Sequence, residues 1–223
     1  MQQLIDGVHR FQTEQFGRYR RLFRRLSKEG QNPHTLFITC CDSRVLAELI
    51  TQSQPGDLFV LKNIGNIVPP AHVTGSTNST AAAIEFAVQT LQVNDIVVCG
   101  HSQCGAIVAL MDGLPNPDAA PHLRDWLALA HPVRELIKTN YNHLRDTEAR
   151  LDAAAEENVL FSLENLHTYP AVAAGLAAGS LHLHGWFFKI ATAELFAYDP
   201  ANKQFAPLRK PDPASNEASE SQP

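Results

Sequence analysis

Several absences narrow this 223-residue sequence before any motif is read. No apolar run approaches the roughly 18 residues of a membrane-crossing helix, and the best candidate, residues 171–179, is short and rich in Ala and Gly. Positive charge is not in excess. The 18 Lys and Arg stand against 23 Asp and Glu, a formal net charge of -5, so nothing recommends a nucleic-acid partner. Cysteine is scarce, with four residues and none at the paired Cys-x2-Cys spacings of a structural zinc ribbon. Internal repeats and an interior linker are missing too. Residues 1–25 have no apolar core of the kind a secretory signal carries, so a cytoplasmic location is expected, with a carboxysome left open. In a reducing compartment Cys40, Cys41, Cys99 and Cys104 are thiols, and metal binding or catalysis outranks disulfides as their use.

What is present suits one domain over 1–208, with 44% hydrophobic and 18% charged residues. Residues 1–30 read as a helical arm. Arg18, Arg20, Arg21, Arg24, Arg25 and Lys28 crowd it, while Leu22, Phe23 and Leu26 interleave at helical spacing to form an apolar face. Residues 209–223, rich in Pro, Ser, Asn and Glu, read as a disordered tail, and the polar composition begins at Pro207. Residues 35–40, 58–62 and 95–99 are short apolar runs that read as buried strands. Helices are expected over 45–51 and 76–91, and as two largely helical segments between 122 and 178. Residues 186–190 and 194–198 read as further strands, the second at an edge. The alternation predicts an α/β fold: a mainly parallel central sheet flanked by helices, with an antiparallel edge strand.

Two motifs carry chemistry. Cys40-Cys41-Asp42-Ser43-Arg44 stands at the end of the first buried run, and His101-Ser102-Gln103-Cys104-Gly105 just past the end of the third. In a parallel sheet, groups at the carboxyl ends of neighbouring strands converge on one crevice, so residues sixty-one apart in the chain can meet. Two thiolates and an imidazole suit Zn2+, and three protein ligands leave the fourth tetrahedral position open, as in catalytic sites. Cys41, next to Cys40, is expected to point away and pack as a structural thiol, and Cys99 to lie inside its strand.

Cys-x-Asp-Ser-Arg followed by Gly-His-Ser-x-Cys-Gly resembles the signature of β-class carbonic anhydrases, and the likeness runs from about residue 2 to 208. Pro55-Gly-Asp-Leu-Phe59, Asn63-Ile-Gly-Asn66-Ile-Val-Pro69, Ala83-Ile-Glu85-Phe-Ala87 and Leu183-His-Gly-Trp186 extend it, closest to bacterial and cyanobacterial members of the plant-type branch. The resemblance implies reversible hydration of CO2 to bicarbonate by hydroxide on one zinc ion per chain, held by Cys40, His101 and Cys104. It implies that Arg44 holds Asp42 off the metal, and that Asp42 accepts a hydrogen bond from the hydroxide. Gln31 matches a Gln that bonds substrate in plant-type members, where the bicarbonate-inhibited branch carries Trp. Phe59, Ile64, Phe86 and Gly105 fall at the substrate cleft, part of it supplied by a second subunit. A homodimer or larger even-numbered homo-oligomer is therefore expected.

Two departures stand out. Phe86 replaces a common Tyr and loses a hydroxyl, and Lys62 replaces a usual Arg, trading a two-pronged contact for a single-point one. Two other readings remain open at this point. The same site could hydrolyse COS or CS2, or Asp42 could close the metal in a zinc-stabilised assembly module.

Overall fold

Residues 1–73 and 77–208 are described in the structure, a computed structural model. Six strands form one sheet: β1 (Thr35–Cys40), β2 (Leu58–Asn63), β3 (Asp95–His101), β4 (His182–Lys189), β5 (Glu194–Asp199) and β6 (Gln204–Pro207). Their order is β2-β1-β3-β4-β5-β6, with the first four parallel and the last two antiparallel. The α/β expectation therefore holds. Every residue of β1 is buried, because both its faces are covered, as parallel sheets require. Leu36, Ile38, Ile96 and Val98 point to one core, and Phe37, Val97 and Cys99 to the other.

The edges differ from expectation. β2 is only half-buried along its length, because it is the outer parallel strand. The antiparallel edge is β6, not β5, and Pro207 still pairs with Phe196 there. Four residues offer too little alternation to announce a strand. The tail over 209–223 and the start of the helix expected from Ser76 lie outside the described residues.

The helices are α1 (Gln2–Arg10), α2 (Phe16–Glu29), α3 (Ala47–Thr51), α4 (Ser79–Glu85), α5 (Gly105–Asp112), α6 (Pro121–Ala128), α7 (His131–Asn140), α8 (Thr147–Leu166) and α9 (Pro170–Ala177). One wide turn joins α1 to α2, and another carries α4 on to Thr90. The two helical segments expected after residue 122 are thus four helices. Pro121, Pro132 and Pro170 open three of them, where a missing N–H costs nothing, and the Asp146 side chain caps α8 by accepting from the Ala149 N–H at 2.8 Å. Among the described residues no helix is long and apolar enough to cross a membrane.

α8 packs against β3 and β4 at very short range. A Cβ on Gly100 would lie 2.8 Å from Val159 Cγ2 and 3.2 Å from the Ala155 carbonyl oxygen, and one on Gly185 would lie 2.9 Å from Leu163 Cδ1. The arm behaves differently. No residue of α1 or α2 is buried; Leu26 of α2 lies against Gly56, whereas the stripe of α1 is bare, with Leu4 69% exposed.

Gly100→Ala is expected to lose about 1–3 kcal/mol through overpacking, read as a lower thermal midpoint. Burial, then the Asp152 charge, pushes the Glu156 carboxyl up to about 7, against the pull of Lys189. Its folded value lies above its unfolded value, so its contribution to stability is lost as pH rises from the ordinary carboxylate range through about 7. Glu156→Gln should therefore raise the midpoint above that pH and change little in mild acid. An equal gain at both ends in calorimetry would contradict this.

Candidate metal centre

β1 and β3 lie side by side with Thr39 opposite Cys99, so Cys40 and His101 emerge at the same end of the sheet. β3 runs through His101 rather than ending before it. Gln103 then takes a left-handed conformation, φ 55°, which turns the chain so that Cys104 becomes the N-cap of α5. One ligand atom each of Cys40, His101 and Cys104 lies within 4.8 Å of the others, and all three residues are buried. The two sulfurs are 3.9 Å apart.

His101 Nδ1 sits 2.9 Å from the Ser102 carbonyl oxygen. A carbonyl only accepts, so Nδ1 carries the hydrogen and Nε2 keeps a lone pair. That Nε2 is buried with no partner among the described residues. An orphaned buried acceptor costs about 1–3 kcal/mol, and a metal ion at the cluster would satisfy it. The donor set of two thiols and one imidazole fits zinc. The contact with the Cys104 sulfur holds the Cys40 thiol well below the usual thiol range, helped by His101 and by backbone N–H groups. Cys104 is driven upward by the same contact and by burial. Thiols must lose their protons to hold a metal, and the contact between the two sulfurs already favours that at Cys40. Cys99, fully buried in β3, is pushed up to about 12 by burial, as its structural role requires.

Asp42 stands beside this cluster, with Oδ2 4.0 Å from His101 Nε2. Arg44 grips it with two parallel bonds, Nε to Oδ1 at 2.9 Å and Nη2 to Oδ2 at 2.8 Å, and the Arg44 backbone N–H adds a third. The same guanidinium donates to the Gln103 carbonyl at 3.2 Å, fixing the pair to the turn between the ligands. This grip holds the Asp42 carboxyl far below the ordinary carboxylate range, so it is an anion that only accepts.

The sequence profile described as carbonic anhydrase matches residues 35–195, nearly three quarters of the chain. The chain belongs to the β-carbonic anhydrase family. A carbonic anhydrase of Synechocystis sp. is 46% identical over 200 residues, which cover 89% of this chain and 71% of the relative. The solved β-carbonic anhydrase CcaA superposes with a TM-score of 0.88 at 44% identity, covering 93% of this chain and 99% of that one. A tetrameric β-carbonic anhydrase of Sordaria macrospora gives 0.78 at 31% identity, covering 88% and 95%.

In this β-carbonic anhydrase chain a loop buttresses the ligands. Gly65, at φ 76°, aims its N–H at Cys40 Sγ over 3.4 Å, and a Cβ there would meet Ala106 at 3.0 Å. α8 holds the loop with polar side chains spaced at successive turns. Asn158 Nδ2 donates to the Gly65 carbonyl at 2.9 Å, Ser162 Oγ accepts from the Val68 N–H and donates to the Asn66 carbonyl, and Asn165 Nδ2 reaches the Val68 carbonyl. From α6, Trp126 Nε1 donates to the Ile64 carbonyl at 2.8 Å. Sequence reasoning missed Ser102, Trp126, Asn158, Ser162 and Asn165. The last three at spacings of four and three were the available signal: a polar stripe inside an otherwise apolar helix face.

The remaining site residues divide. The Phe59 and Phe86 rings lie 5.8 Å apart, so these two meet, while Ile64 and Phe86 are each 43% exposed. Gly105 opens α5 beside Cys104 with open space where a side chain would stand. Gln31 is exposed in the loop between α2 and β1. Two expectations need correction. Cys41 is exposed rather than packed, because the chain leaves the sheet at Cys40 and nothing covers the next residue. Lys62 is not a single-point contact, since its Nζ reaches both the Asp42 carbonyl at 3.2 Å and the Val45 carbonyl at 2.8 Å.

Asn158→Leu leaves the Gly65 carbonyl without its donor inside the core. It is expected to cost about 1–3 kcal/mol of stability. Metal release to a chelator should also speed up, and unchanged release would separate the loop from the ligands.

Proposed function

We propose that this chain hydrates CO2 reversibly to bicarbonate and a proton, with one zinc ion held by Cys40, His101 and Cys104. The observation that carries the reading is a buried three-donor cluster beside a carboxylate whose two oxygens are already engaged by Arg44. Zinc at such a donor set supplies Lewis acidity that makes hydroxide available from water near neutral pH.

The chain's own residues supply the rest. Asp42, an anion at any working pH, accepts the hydrogen of the nucleophile and thereby orients a lone pair toward the carbon of CO2. Arg44 turns Asp42 to that task and keeps it from closing on the donor set, which speaks against a shut assembly module. Phe59, Phe86 and Ile64 offer an apolar wall to an uncharged substrate, and the open space at Gly105 leaves it room beside Cys104. Gln31 serves as a substrate hydrogen-bond donor, its cleft completed by a second subunit. A homodimer or a larger even-numbered assembly provides that subunit and covers the bare stripe of the arm, where Leu4, Ile5, Val8 and Phe11 are exposed. Tetrameric relatives among the solved structures support such an assembly.

Stopped-flow CO2 hydration combined with metal analysis tests the reading. Cys104→Ala should lose zinc and activity together, and a variant keeping both would sink the assignment. Asp42→Ala should keep zinc while kcat drops by about 10²-fold or more, as for loss of a key orienting group. Faster turnover of CS2 than of CO2 in the same preparation would reassign the substrate.

A further inference from the structure

Each sulfur of the donor set has its own anchor, since Cys40 faces the Gly65 N–H and Cys104 opens α5. His101, fully buried, is oriented through Nδ1 by the carbonyl of the next residue, Ser102, at 2.9 Å. That carbonyl would ordinarily be engaged elsewhere. β3 and β4 are parallel, with His101 opposite Phe188. In a parallel ladder a bonded residue donates its N–H to the neighbouring strand and accepts with its carbonyl from the residue two places further along. Ser102 makes the first of these bonds, its N–H donating to the Phe188 carbonyl at 3.0 Å. The donor due for the second is the Ile190 N–H, and it goes instead to Ser102 Oγ at 3.0 Å. The hydroxyl stands in for the carbonyl, as short Ser side chains can do for backbone groups.

We infer that Ser102 is a positioning residue for the metal centre: by taking the Ile190 N–H on its side chain, it releases its carbonyl to fix the ring and tautomer of His101. The inference rests on the reading that His101 holds zinc. A metal-binding imidazole needs such a partner, because an acceptor at Nδ1 sets the orientation of the ring and raises the basicity of Nε2. Ser102 is buried, so water does not readily replace either bond. The following carbonyl, of Gln103, accepts from Arg44 at 3.2 Å. Two consecutive carbonyls thus serve the two halves of the site, one orienting a metal ligand and the other the Asp42–Arg44 pair. Without the hydroxyl, the Ser102 carbonyl is the acceptor left for the Ile190 N–H, and it reaches that donor only by turning away from His101.

Zinc affinity measured by competition with a chelator, together with 15N-histidine NMR of the zinc-loaded enzyme, is the test. Ser102→Ala should bind zinc about 10-fold to 100-fold more weakly, the scale for losing an outer partner of a ligand. Its His101 Nδ1–H should also lose protection from exchange with water. Ser102→Thr keeps the hydroxyl and should restore both. Unchanged zinc affinity in Ser102→Ala overturns the inference. So does weaker zinc binding with the Nδ1–H signal intact. Ser102→Thr binding zinc as poorly as Ser102→Ala would assign the loss to packing, and overturns it too. Nδ1–H protection measured again after zinc removal separates this inference from the reading beneath it. A parent enzyme that takes up no zinc, yet loses that protection in Ser102→Ala, overturns the metal reading and leaves the role of Ser102 toward His101 standing.

Discussion

The close approach of α8 to the sheet is the constraint on which the other features rest. Gly100 and Gly185 admit the helix to a distance at which any side chain would collide with Val159 or Leu163. At that distance short polar side chains suffice, and Asn158, Ser162 and Asn165 reach the backbone of the loop that turns Gly65 toward Cys40. Each such bond contributes only about 0.5–1.5 kcal/mol net, but each one left unmade in the interior costs more than that. Unseating the helix would therefore strand several buried polar groups of the ligand loop at once.

Electrostatics at the site follow a division of labour. The Cys40–His101–Cys104 cluster is buried and arranged around an unpaired imidazole nitrogen, so it is built to receive a cation. The Asp42–Arg44 pair sits at its mouth with Arg44 well exposed, where an ion pair adds little stability. Its value lies in direction. A three-point grip leaves the carboxylate one orientation, and a second anchor on the Gln103 carbonyl ties that orientation to the turn that places Cys104.

Much of this was legible in the chain itself, and the reasons are specific. β1 reads clearly because six successive residues are apolar or β-branched and all six are buried. The two motifs read clearly because thiols, an imidazole and an Asp–Arg pair are rare at strand ends. β6 was invisible, since four residues carry no usable period, and the division of residues 121–177 into four helices rests on prolines within a uniformly helix-favouring composition. Asn158 escaped notice because a polar residue on a helix ordinarily faces water, and only the glycine-permitted contact with the sheet puts this one inside. Cys41 misled for a related reason: burial of a thiol depends on what passes over it, which adjacency in the chain does not reveal.

Trp126 adds an optical consequence. The chain contains two tryptophans, and the other, Trp186, packs edge-on against Phe37 in the core on the far face of the sheet. The indole N–H of Trp126 instead rests on the carbonyl of Ile64, one residue before the glycine that faces Cys40. Its emission is thus an intrinsic gauge of the loop: any loosening that breaks this bond hands the indole to water and moves its fluorescence to longer wavelength. The molecule carries its own reporter of whether the ligand loop is seated.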